Sequence, residues 1–181
     1  MPVKIISYAV LVLGSLACAL SPALAAGEAC KTGFAPTLCI DVDIHGAATL
    51  KGSTFGLASV ADSCTAWSKG VERAGKIRMM LPLDLAPVSG TDFSIELVAS
   101  GYSGPGLYDQ SKLSALDAPF GVVIAGAKWG NEDGKPAAFE TKADGSGSLT
   151  FEGLRAAGSI PDQAPSISGA LRWRCLEPAA Q

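Results

Sequence analysis

The sequence predicts an all-β fold, a single antiparallel β-sandwich of about eight short strands tied by two disulfides. Three observations carry that prediction. Apolar residues recur with the two-residue period of half-buried strands. The 21 Gly and 11 Pro fall between short apolar segments and do not gather into a linker. Four cysteines follow a segment that reads as an export signal.

Residues 1–25 read as a signal peptide. Lys4 supplies a short positive start, residues 5–20 are apolar, and Ala23-Leu24-Ala25 offers small residues at the two positions a signal peptidase inspects. The apolar run ends at Ser21-Pro22 and falls short of the roughly twenty residues a spanning helix needs, so no transmembrane segment is expected in the mature chain. Gly14-Ser15-Leu16-Ala17-Cys18 is a second, weaker cleavage signal of lipobox type, in which Cys18 would carry lipid. Ser15 stands there in place of the usual Leu. Either reading makes the protein exported, periplasmic or extracellular, and leaves residues 26–181 as one domain, a comfortable length for one core.

The first expected strand covers 38–45, where Leu38, Ile40, Val42 and Ile44 alternate with Cys39, Asp41, Asp43 and His45. A second, 47–52, pairs behind it through a turn at His45-Gly46. Residues 57–69 have the one helical claim. The next strand is 77–85, with Ile77, Met79, Leu81, Leu83 and Leu85 on one face; Pro82 makes it an edge or bulged strand. Phe93, Ile95 and Leu97 alternate in the strand after Ser89-Gly90-Thr91. Further strands are expected at 120–125, 138–142, 148–153 and 166–175, separated by turns at Asn131-Glu132-Asp133-Gly134 and Asp144-Gly145-Ser146-Gly147.

Removal of Cys18 with the leader leaves Cys30, Cys39, Cys64 and Cys175, an even number in an exported chain. Cys39 sits on the polar face of its strand, with Cys30 as its nearest partner. Ile167, Leu171, Trp173 and Cys175 share one face, so Cys175 faces inward beside a Trp and is left to pair with Cys64. An inward cystine beside a Trp is a common way of pinning two facing sheets. Chain entropy gives the long loop roughly 4–5 kcal/mol and the short loop roughly 2–3 kcal/mol of stabilisation. No CxxC-type spacing supports a metal–thiolate site.

Tyr102-Ser103-Gly104-Pro105-Gly106-Leu107-Tyr108, then Asp144-Gly145-Ser146-Gly147-Ser148-Leu149, and finally Ser168-Gly169-Ala170-Leu171-Arg172-Trp173-Arg174-Cys175 resemble the plan of small secreted immunoglobulin-like bacterial proteins. In outline the chain is similar to the mycobacterial 19 kDa lipoprotein antigen group over about its last 120 residues. The resemblance implies an exported immunoglobulin-like β-sandwich with two disulfides. Members of that group carry a clear lipobox, from which this chain departs.

Without Lys4 the chain has 13 basic against 17 acidic residues and no Lys/Arg cluster, which argues against nucleic acid or an anionic membrane surface as partner. Asp41, Asp43 and His45 alternate along one strand face as weak metal candidates, but same-face residues stand roughly 6.5–7 Å apart, so one strand alone cannot close a site. His45 is the only histidine, which excludes multi-His sites, and no Gly-x-Ser-x-Gly elbow supplies a nucleophile for it. The acidic turns match no twelve-residue calcium loop, and no cofactor is expected.

The remaining binding candidates are aromatic: Tyr102 and Tyr108 flank a Gly-Pro-Gly loop, and Trp129 precedes a polar turn. A Tyr at a sandwich corner also serves structure by bonding to backbone. The expectation is a non-enzymatic binding module for an envelope protein or a glycan. One alternative is a small secreted hydrolase whose carboxylates converge only in the fold. The other is a structural envelope protein with no discrete ligand.

Overall fold

The computed structural model describes Cys30 and residues 33–73, 75–115, 119–159 and 164–179. The expected signal peptide and Cys18 lie outside the described residues. In chain order the elements are β1 (Thr37–Gly46), β2 (Leu50–Leu57), α1 (Cys64–Ser68), β3 (Val71–Arg73), β4 (Lys76–Met80), β5 (Phe93–Glu96), β6 (Val98–Ala99), β7 (Gly106–Asp109), a 3-10 turn (Gln110–Lys112), β8 (Leu113–Ser114), β9 (Gly121–Ile124), β10 (Ala127–Gly130), β11 (Ala137–Thr141), β12 (Gly147–Ala156) and β13 (Ser166–Leu176).

The alternation that marks β1 in sequence is obeyed in space from Ile40 onward, whereas Cys39, expected on the polar face, is buried beside its disulfide to Cys30. Leu38, Ile40, Val42 and Ile44 are buried, and Asp41, Asp43 and His45 are exposed. β1 pairs antiparallel with β13 from Thr37 opposite Leu176 to Gly46 opposite Ile167, and on its other edge with β2. The large sheet runs β2-β1-β13-β12-β10-β9-β5, with β11 and then β7 branching from β12.

The branch has a local cause. The register of β12 against β13 slips between Phe151 and Leu154, and Gly153 takes a positive φ of 64° while its N–H donates to Ser168 Oγ at 3.0 Å. Such a bulge bends the strand and sharpens its twist. Before it, β12 pairs with β11; beyond it, the same edge pairs with β10.

One curled, half-barrel-like sheet results, accompanied by a small sheet of β3-β4-β6-β8. This corrects the expected sandwich of two facing sheets. The fold is mostly antiparallel β with two disulfides, but one edge serving two successive strands keeps nine strands in a single curling sheet. The core lies inside the curl, built from Ile40, Phe139, Phe151, Leu149, Leu171 and Trp173 among others.

Three segments depart from the sequence expectation. β2 begins at Leu50 and runs on to Leu57, and the helix is confined to Cys64–Ser68, capped by Ser63 Oγ accepting the Ala66 N–H at 3.0 Å. The 77–85 strand ends at Met80. Pro82 lacks the N–H a ladder needs, and the chain leaves β4 to run along the edge of β2, where the Ala86 N–H donates to the Phe55 carbonyl at 3.0 Å. Leu83 is consequently exposed, and Ile77, within β4 itself, is exposed as well; neither faces inward. At Leu97 the chain changes sheets: β5 pairs with β9 in the large sheet, β6 with β4 in the small one.

Both disulfides join the expected cysteines, Cys30 with Cys39 and Cys64 with Cys175, at Cα separations of 5.7 and 5.8 Å. The second ties α1 to the end of β13. Glu177, just beyond that strand, accepts the Cys64 N–H at 3.0 Å. Disulfides of this kind belong to a non-reducing compartment. Among the described residues no helix is long and apolar enough to cross a membrane.

Candidate functional site

The three aromatic candidates occupy positions with structural partners. Tyr102 is 3% exposed and stacks on Tyr108 with ring centroids 5.0 Å apart. Its hydroxyl lies 2.5 Å from the Ser68 carbonyl and 2.6 Å from Thr141 Oγ1. A carbonyl only accepts, so Tyr102 gives its proton to Ser68 and receives one from Thr141. Burial raises the Tyr102 pKa, and the Thr141 hydrogen bond opposes this in part.

Tyr108 donates to the Gly104 carbonyl at 2.6 Å and accepts the Ser103 N–H at 3.1 Å, which closes the Gly-Pro-Gly loop. Trp129 is 7% exposed, on β10 between β9 and β12, and its indole N–H has no hydrogen-bond partner among the described residues. The rings of Tyr102 and Trp129 therefore present almost no face to a ligand.

Asp41, Asp43 and His45 share the outer face of β1 but not one site. Asp41 accepts from Ser53 Oγ at 2.8 Å, and Asp43 pairs with Lys51 at 3.4 Å. Asp43 and His45 line an open groove of about 610 Å³ across β1, β13, β12 and β11, floored by Ala138, Gly169 and Ala170 and edged by Glu152 and Arg172. Among the described residues no three His, Cys, Asp or Glu side chains are grouped to hold a metal ion. The carboxylates with displaced pKa values are Asp109 and Asp144. Both are lowered, chiefly because the hydroxyl and backbone N–H of Ser111 and Ser146 donate to them in exposed turns.

A second concavity is apolar. It measures about 510 Å³ and lies between residues 57–60, which leave β2, and residues 80–84, which leave β4. Trp67, 1% exposed in the molecule as a whole, and Val71 form its floor. Val60 and Leu83, 61% and 53% exposed, stand on its rim, and Arg78 and Asp84 supply the charges at its mouth.

The site exists because two strands stop early. β2 ends where the Ala58 N–H turns to the Pro36 carbonyl at 2.8 Å, and Pro82 ends the possibility of a ladder beyond β4. Sequence reading missed this site by assigning Leu83 to an inward strand face and residues 57–60 to a helix. Pro82 was the available signal.

The chain matches no protein-family model, no curated protein and no solved structure. Its functional reading rests on the geometry of these two concavities. The polar groove has small residues on its floor, and Asp43 on its wall is already paired with Lys51. The cleft is lined mainly by aliphatic side chains, Leu57, Val60, Val71, Met80 and Leu83 among them, and small-molecule sites are commonly apolar in this way.

Proposed function

We propose that the protein is an exported, non-enzymatic binding module and that the cleft between residues 57–60 and 80–84 takes a single acyl chain. The observation that carries this reading is the apolar cleft between residues 57–60 and 80–84, with the large side chains of Val60 and Leu83 left exposed along it. Large apolar side chains around a concave opening mark a ligand or partner site more often than scattered surface residues do. Arg78 and Asp84 bring opposite charges to the mouth and suit a zwitterionic or neutral head group.

Dodecylphosphocholine below its micelle concentration is the probe, titrated into the oxidised protein by calorimetry. Saturable binding at one site is expected, with the negative heat-capacity change of apolar burial. Met80→Trp, which fills the cleft from its wall, weakens that binding about tenfold or more, equivalent to roughly 1.4 kcal/mol. An unchanged melting temperature in the variant separates filling from misfolding. Absence of saturable binding rejects the acyl-chain reading and favours a structural envelope protein with no discrete ligand.

A further inference from the structure

We propose that the ligand of the cleft is a single-chain amphiphile with a phosphodiester in its head group, the acyl chain lying in the cleft and the phosphate over Arg78 and Lys76. This deepens the acyl-chain reading and rests on it for the chain. It narrows the head group to a zwitterion in which phosphate supplies the negative charge.

Arg78 lines two concavities at once. One is the cleft; the other is an opening of about 570 Å³ bounded by Lys76, Ile77, Arg78, Ser100, Gly101 and Tyr102. This second opening brings together two cationic side chains and a hydroxyl, and no carboxylate is among the residues that bound it. Among the described residues neither Lys76 nor Arg78 takes part in a salt bridge. Their charges are uncompensated.

Strand pairing explains why the cations follow the cleft. Val71 stands opposite Arg78, and Glu72 opposite Ile77. Residues paired directly share a face, as do residues two apart along one strand. Val71, Arg78 and Met80 thus form the face of the β3–β4 hairpin that lines the cleft, and Lys76 follows on that face roughly 6.5–7 Å beyond Arg78. Glu72 falls on the opposite face. Along β4 an apolar wall passes into a basic one. The space beside it is open, because β4 pairs with β6 only at Met79 and Met80, and a Cβ on Gly101 would meet nothing within 4 Å.

The order of charges selects the head group. A guanidinium presents donors in a fork that matches phosphate oxygens, and a lysine ammonium adds a point charge. Asp84, also at the cleft, disfavours a second negative charge and suits an ammonium. A sugar head group would leave both cations without a counter-charge.

The test is calorimetric titration of the oxidised protein with dodecylphosphocholine, dodecyl maltoside and dodecanoate, each below its micelle concentration. Dodecylphosphocholine is expected to bind about tenfold more tightly than either of the others at about 0.1 M salt. The margin over the maltoside narrows at about 1 M salt, where the Debye length falls from about 10 Å to about 3 Å. Arg78→Gln removes that margin and leaves dodecyl maltoside binding as in the parent. Lys76 is exposed, so Lys76→Gln leaves the fold intact and reduces the margin about twofold to threefold. If Arg78→Gln loses maltoside binding too, its cleft wall is damaged and Lys76→Gln decides.

Three results overturn the proposal: equal affinity for dodecylphosphocholine and dodecyl maltoside, tighter binding of dodecanoate, or a margin that Lys76→Gln leaves unchanged. Inorganic phosphate that binds as tightly as dodecylphosphocholine makes this an anion site independent of the cleft and likewise overturns it. Equal binding of all three amphiphiles removes the head-group assignment alone; binding of none removes the acyl-chain reading as well.

Discussion

The indole N–H of Trp173 donates to the carbonyl of Gly145 across 3.1 Å, and this bond seats the β11–β12 turn against the Cys64–Cys175 disulfide. Gly145 has φ of 78°, and a Cβ there would lie 2.9 Å from the Cys64 carbonyl oxygen and 3.0 Å from Cys175 Cβ. Gly145→Ala is expected to destabilise the protein by about 1–3 kcal/mol, since it combines a left-handed backbone with a backbone clash. Urea denaturation of the oxidised variant measures the loss.

The two disulfides close loops of very different length, 111 and 9 residues in sequence separation. Replacing Cys64 and Cys175 together by Ala should cost about 4–5 kcal/mol, against about 2–3 kcal/mol for Cys30 and Cys39. Denaturant midpoints of the two double variants provide the check. The reverse order would mean that the long loop retains structure when unfolded.

Tyr102 ties α1 to β11 through Ser68 and Thr141. Tyr102→Phe leaves Thr141 and the Ser68 carbonyl without that partner, at a cost of about 1–3 kcal/mol. The parent also gains an alkaline dependence. Burial raises the folded-state pKa above the ordinary value of 10.0, so below pH 10 both states hold the proton and stability is unaffected. As pH rises from 10 toward the folded pKa, the unfolded chain loses the proton first and stability falls. Melting curves across that alkaline range should show this component in the parent and its absence in Tyr102→Phe.

Leu81 and Leu83 look equivalent in the sequence and are opposite in space. Leu81 is 2% exposed and belongs inside, whereas Leu83 stands on the cleft rim. Leu81→Ala is expected to cost about 2–5 kcal/mol. Leu83→Ala should stay within about 0.5 kcal/mol while weakening dodecylphosphocholine binding. Equal losses of stability would restore the inward strand face.

Where the two-residue period was uninterrupted, as in β1 and β13, sequence reading and structure coincide almost residue for residue. The faces it assigned to Cys39 and Cys175 also led to the correct disulfide pairs. It failed where hydrogen bonding passed from one partner to another. The β9–β10 hairpin turns on Ala125 and Gly126, with φ of 48° and 80°, and Ala carries no signal for such a backbone. β3, β6 and β8 are two or three residues long and exist only because neighbours pair with them.

The sequence by itself determined a β-rich chain with a disulfide framework and a polar outer face to β1, because these follow from local alternation and cysteine placement. Tertiary structure alone decided that the sheet would curl instead of stacking in two layers, through the Gly153 bulge in β12. It also decided that Tyr102 and Trp129 would be enclosed, and that Trp67, Val60 and Leu83 would meet around one cleft. Those outcomes depend on which edge each strand finds after its own ladder ends, a long-range choice between partners that no local period encodes.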